Sequence, residues 1–150
     1  MRQGKNRHIS GKRAIVLIVT ALMFAFIFVQ SLLPQGVSAK ESAWLTDRIL
    51  NPLLKTFGIG PISHRTVRKI AHVLEFAVLS FMLTICFRGR IVNSIGIGFS
   101  AAFLDESLQL LSGRGASIAD VWIDLIGVAV GSAFGFLLWI VFCRLRSEKE

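Results

Sequence analysis

Three apolar segments of this chain each carry ionisable side chains at one end. Arg68, Lys69, His72 and Glu75 open one segment; Asp105, Glu106 and Gln109 close the next; Asp120 and Asp124 open the last. On insertion scales a charged group near the bilayer centre costs roughly 2.5 kcal/mol or more, so such groups pair, face a bundle interior and mark functional sites. The cations Arg68, Lys69 and Arg114 suit anionic groups such as lipid phosphates. The carboxylates Glu75, Asp105, Glu106, Asp120 and Asp124 would orient those cations or take the cationic part of a ligand. His72 near a carboxylate has the make-up of a general acid or base, which makes it the candidate catalytic residue. The same charges also fit a salt-bridge network that only fixes helix register. Paired carboxylates can hold a hard divalent cation, but there is no HExxH, no GxSxG and no cysteine ligand set. No metal and no cofactor is therefore assigned. Ser112 and Ser117 offer hydroxyls that nothing in the sequence activates.

Helical periodicity sharpens the pattern. At about 100° per residue Arg68, His72 and Glu75 fall on one stripe. Ser94, Gly98, Ala101, Asp105, Gln109 and Ser112 share a second face. Asp120, Asp124, Gly127, Gly131 and Gly135 share a third. Gly127, Gly131 and Gly135, four residues apart, let a neighbouring backbone approach closely, where dispersion holds helices together in lipid. The helices of Asp105 and Asp124 are expected to touch, with Gly127 and Gly131 near the contact. His72, Glu75, Asp105, Glu106, Arg114, Asp120 and Asp124 then converge on one pocket.

The elements that must position these groups read as membrane helices. Of 150 residues 53% are hydrophobic and 17% charged, with mean hydropathy +0.65, too apolar for an ordinary soluble domain. Apolar runs cover Ala14–Leu33, Ile70–Phe87, Ile91–Leu111 and Val121–Cys143, each near the ~20 residues a crossing needs. The expected fold is an all-α membrane protein with four transmembrane helices in a compact bundle. Arg88-Gly89-Arg90 makes a tight hairpin between the second and third. Val37-Ser38-Ala39 resembles a signal-peptidase site, but the first run exceeds a typical signal core of about 7–15 residues and reads as a retained helix.

The net charge of +8 sits at the ends of apolar runs, where it anchors and orients helices; no recognition motif supports nucleic-acid binding. Four crossings put both termini on one side with ten Lys and Arg, against seven on the other. That asymmetry predicts cytoplasmic termini and an outward-facing polar cluster. The chain divides into a basic cytoplasmic N-terminus (1–13), a first transmembrane helix (14–33), an external loop (34–67), a three-helix core (68–143) and a cytoplasmic tail (144–150).

In the loop, Trp44, Leu45, Ile49, Leu53, Leu54 and Phe57 recur at helical spacing, predicting short amphipathic helices on the outer surface. Pro52 breaks any single helix there, with Asn51 as the cap of a new turn. Trp122 and Trp139, about 25 Å apart along a helix, fit two interfacial aromatic belts. Cys86 and Cys143 lie in no metal or redox spacing and read as small buried hydrophobes.

Two blocks together resemble the VanZ-like family of bacterial membrane proteins. One is Arg68-Lys69-Ile70-Ala71-His72-Val73-Leu74-Glu75-Phe76. The other runs Asp105-Glu106-Ser107-Leu108-Gln109, Gly113-Arg114, Asp120-Val121-Trp122-Ile123-Asp124 and Gly127. The resemblance covers roughly residues 65–135. It departs at Ser112, where the family often has Pro. The family is named for a protein associated with low-level resistance to teicoplanin, a lipid-tailed glycopeptide. It implies a multi-pass protein of the bacterial plasma membrane but supplies no biochemical mechanism; the polar residues themselves give the leading reading, an outward pocket that binds an amphiphile or lipid headgroup and affects glycopeptide susceptibility. Membrane lipids, lipid-linked envelope precursors and lipoglycopeptides are the expected partners. The alternatives are a membrane enzyme acting on a lipid-linked envelope substrate and a structural or partner-binding protein.

Overall fold

The computed structural model describes residues 11–113 and 117–148, and every regular element among them is helical. The order is α1 (Gly11–Leu32), α2 (Gln35–Leu45), a π-helical turn (Thr46–Leu50), α3 (Asn51–Thr56), α4 (His64–Cys86), α5 (Ile91–Leu111) and α6 (Ile118–Ser147).

Local chemistry sets the boundaries. Ser63 caps α4 by accepting the Thr66 N–H at 3.2 Å, and Ser117 caps α6 by accepting the Ala119 N–H at 3.2 Å, each satisfying a first-turn donor. The stop of α4 is a Schellman turn. The Gly89 N–H reaches the Thr84 carbonyl at 2.9 Å and the Arg88 N–H that of Ile85 at 3.1 Å. Arg88 takes the left-handed conformation at φ 55° and Gly89 follows at φ 77°. A Cβ on Gly89 would strike the Trp139 ring, so glycine is needed for space as well as for φ.

Pro52 does not break the helical path as expected. The π turn at 46–50 leads into it, and the ring sits at the start of α3, where a missing N–H costs little. Asn51 is helical rather than a cap. Its side chain instead accepts the Ile62 N–H at 2.9 Å, tying the end of the loop to the approach of α4.

Three helices, not four, are long and apolar enough to cross a membrane: Arg13–Leu32, His64–Cys86 and Ile118–Ser147. The 21-residue α5 falls outside this group. Its Asn93, Asp105, Glu106 and Gln109 dilute the apolar character of the segment.

The bundle is built around α4, which touches α1, α2, α5 and α6; its most extensive interface is with α6. Ile27, Phe76, Leu79, Leu83, Ala101, Ala102 and Val128 form the core. Large apolar side chains such as Ile18, Leu22, Phe26, Phe99, Phe103, Val130, Phe134 and Leu137 point outward. Small and polar groups inside with bulky apolar groups outside is the arrangement lipid favours.

The glycine stripe of α6 meets α4 rather than α5. A Cβ at Gly127 would overlap the Val73 carbonyl, one at Gly131 the Ala77 carbonyl, and one at Gly135 the Thr84 side chain. On α5 it is Gly98 that is crowded, by Ser80 and Val128. The helices of Asp105 and Asp124 do touch, as the matching faces predict, with Gly98 against Val128, but Gly127 and Gly131 are not at that contact. One small face is enough for close approach, and α4 supplies the opposing backbone. Of the two cysteines only Cys86 is partly covered; Cys143 is exposed, because it lies on the outer face of α6.

Candidate functional site

The C-terminal ends of α1 and α5 meet the N-terminal ends of α4 and α6, and their polar residues collect there. His72 is central. Its Nδ1 lies 3.7 Å from Asp124 Oδ1, 3.9 Å from Glu75 Oε2 and 4.0 Å from Asp105 Oδ2. Asp105 is fully buried and Asp124 is 2% exposed, whereas His72 and Glu75 keep partial access.

Neighbouring donors hold Asp105 in place. The Ser31 hydroxyl donates to Oδ1, and the Gln109 amide, one helical turn away, donates to Oδ2 at 2.7 Å. Ser31 is itself anchored, since the Ser112 hydroxyl donates to its carbonyl at 3.0 Å. Asp124 differs: it accepts no hydrogen bond from any described residue, His72 Nδ1 lies 3.7 Å from it, and Asp105, Glu106, Asp120 and Glu75 surround it with negative charge.

A cavity of about 410 Å³ opens beside this cluster, lined by Gln35, Arg65, Arg68, Lys69, His72, Gln109, Ser117, Ala119, Asp120, Ile123 and Asp124. At the mouth Lys69 Nζ sits 3.8 Å from Asp120 Oδ1, both partly exposed. Such a pair contributes little to stability and leaves the lysine able to exchange partners. Arg68 lines this cavity and a smaller one of about 180 Å³ on the side of α2, where Glu75 also lies. Its Nε is buried without a partner among the described residues.

Of the residues singled out in the sequence, Arg68, Lys69, His72, Glu75, Asp105, Gln109, Asp120 and Asp124 come together in and around the cavity. Glu106 is buried next to them: it accepts the Ser117 N–H at the start of α6, Ser117 lines the cavity, and the carboxylate adds negative charge near Asp124. Arg114 lies outside the described residues. Sequence reasoning missed Ser31, Gln35 and Arg65. Ser31 had a signal, since Gln30-Ser31 ends an otherwise apolar run, but the first helix read as an anchor. Arg65 was counted only as a flanking charge.

A family model described as VanZ/LLP1 matches residues 15–142. An uncharacterised membrane protein of Bacillus subtilis (strain 168), YwnJ, is 38% identical over 82 residues, which is 55% of this chain and 55% of the relative. The match thus spans about half the length of that relative. No solved structure matches.

Proposed function

The chain belongs to the VanZ/LLP1 family, and on that premise we propose that it is a multi-pass plasma-membrane protein whose outward polar cavity binds an anionic amphiphile headgroup. Through that binding it alters susceptibility to lipid-tailed glycopeptides of the teicoplanin type. The observation that carries the reading is the cavity of about 410 Å³, with Arg65, Arg68 and Lys69 along its wall and His72 and Asp124 among its lining. Clustered cations beside partly apolar walls suit a phosphate or carboxylate attached to an acyl chain.

In this reading α5 is a fourth crossing. Its 21 residues extend about 31 Å, close to the hydrocarbon thickness. Its Asp105, Glu106 and Gln109 are buried inside the bundle while Phe99, Phe103 and Leu104 face out, so the inserted surface is less polar than the sequence average. The surplus of Lys and Arg on the side of the termini supports a cytoplasmic location for both, with the cavity on the outer side.

Native mass spectrometry of the purified protein would identify bound lipids. Retained anionic lipid in the wild type, lost in a variant carrying Arg68→Gln and Lys69→Gln, is the expected result. In parallel, cells expressing the wild type should change in teicoplanin susceptibility, and cells with equal amounts of Asp105→Asn or Asp124→Asn should not. Variants that match the wild type in both assays would exclude the cavity as the functional site. A second reading, an enzyme acting on a lipid-linked envelope substrate, is favoured by the His72 imidazole lying beside Asp124 and Asp105. Intact lipid binding with lost activity in His72→Ala would select it.

A further inference from the structure

We infer that His72, Asp105 and Asp124 form a binding site for one divalent metal ion of the zinc or manganese class. The three come from three different helices, α4, α5 and α6, and each offers one donor atom within 4.8 Å of the others. The His72 nitrogen is 3.7 Å from one aspartate oxygen and 4.0 Å from the other. A point equidistant from such a set lies about 2.2–2.5 Å from each atom, close to the bond lengths of divalent ions to nitrogen and oxygen. Glu75 Oε2, 3.9 Å from the same imidazole nitrogen, is a fourth donor within reach.

Two further observations point to an ion rather than to a plain charge network. Asp124 is 2% exposed, accepts no hydrogen bond from a described residue and borders the cavity, so its oxygens have capacity for a ligand arriving from there. Asp105 is oriented by Ser31 and Gln109, the kind of outer hydrogen bonding that fixes metal-ligating carboxylates. Electrostatics agrees. Buried carboxylates around one imidazole repel each other, and a doubly charged ion compensates two of them. One imidazole with carboxylates favours zinc or manganese over magnesium and calcium, which take oxygen alone. The open side faces the cavity, where a headgroup oxygen could complete the coordination. That last step rests on the function proposed above; ion binding itself does not.

The test uses the full chain in neutral detergent, tag removed and chelator-treated, titrated separately with Zn²⁺ and with Mn²⁺ and no added lipid. One equivalent of either ion should bind. Asp124→Asn and His72→Gln should weaken that binding at least about tenfold, while Ser100→Ala, whose hydroxyl only meets the Gly96 carbonyl on the exposed face of α5, should leave it unchanged. Gel filtration and circular dichroism establish that each variant is folded. Pulsed electron paramagnetic resonance of the Mn²⁺-loaded wild type needs no variant and should show coupling to one histidine nitrogen. No stoichiometric binding of either ion, or bound Mn²⁺ without nitrogen coupling, overturns the inference. So does unchanged affinity in a folded Asp124→Asn. Loss of bound lipid in chelator-treated, ion-competent protein would join the ion to the headgroup reading. Lipid retained by a protein that binds neither ion would leave the proposed function standing and remove the metal.

Discussion

Two polar clusters are buried in the same bundle, and they are built differently. Toward the Arg88–Arg90 turn, Ser80, Thr84, Ser94 and Ser132 are all fully buried. The Thr84 hydroxyl donates to Ser94 Oγ at 2.8 Å, Ser94 donates to the Ser80 carbonyl at 2.8 Å, and Ser132 Oγ lies 3.2 Å from Ser94. These groups are neutral, they link α4, α5 and α6, and neither cavity reaches them. At the opposite end His72, Asp105 and Asp124 are ionisable, spaced beyond hydrogen-bond length, and next to a cavity. The Thr84, Ser94 and Ser132 hydroxyls serve one another and the Ser80 carbonyl, and so act as glue between helices. Carboxylates held near one imidazole, one of them without a hydrogen bond from any described residue, have the make-up of a ligand site.

The largest effect should come from the seam that both clusters share. At Gly131 any added Cβ overlaps the Ala77 carbonyl, a backbone group that cannot swing away. Gly131→Leu would force α4 and α6 apart and is expected to cost more than about 3 kcal/mol. Thermal unfolding in detergent and cellular abundance should both collapse. Wild-type abundance for this variant would mean the two clusters do not depend on the α4–α6 contact.

Asp124→Asn separates the clusters by function. It keeps shape and removes one of several neighbouring negative charges. In chelator-treated protein its unfolding free energy should equal the wild type's or exceed it by up to about 1 kcal/mol. Susceptibility effects should vanish. A clear drop in stability would instead place Asp124 with the hydroxyls, as a structural contact.

How far the sequence announces each cluster follows from physical cost. A charge in an apolar run is conspicuous, so His72, Glu75, Asp105, Asp120 and Asp124 stood out, as did the helical class. Serine and threonine satisfy themselves on the preceding turn and are common in membrane helices, so Thr84 and Ser132 carried no visible mark. Partner choice was hidden too. The stripe of Gly127, Gly131 and Gly135 showed that something comes close, but not that it was α4. The π turn before Pro52 depends on the helix finding a path around a missing donor, which spacing alone does not encode. Glu106 looked like its neighbour Asp105, yet one residue along a helix turns the side chain by about 100°, toward Ser117.

Ser94→Ala tests the neutral cluster. It removes the hydroxyl that joins Thr84 to the Ser80 carbonyl. Neutral interhelical hydrogen bonds of this kind contribute about 0.6–2 kcal/mol in membranes. A loss of that size in a detergent melt is expected, with teicoplanin susceptibility unchanged per molecule of protein. A functional defect at equal abundance would show that the two ends of the bundle are coupled, and the distinction between glue and site would fail.

The smallest effect, and the sharpest probe, lies at Ser31. It belongs to α1, outside the two sequence blocks of α4 to α6, yet its hydroxyl reaches Asp105. Ser31→Ala deletes that donor and no charge. Gln109 still donates to Asp105, and Ser112 still holds the Ser31 backbone carbonyl, so α1 should stay docked and stability should fall by only about 1 kcal/mol. The carboxylate would gain rotational freedom, and positioning defects of this kind weaken ligand binding about tenfold or more where the group touches the ligand. Asp105 is fully buried and does not line the cavity, so the loss should appear in Zn²⁺ or Mn²⁺ affinity, by more than the melt predicts. If binding and stability fall in proportion, Ser31 only fastens α1 to the bundle. If binding falls alone, the first helix is part of the site.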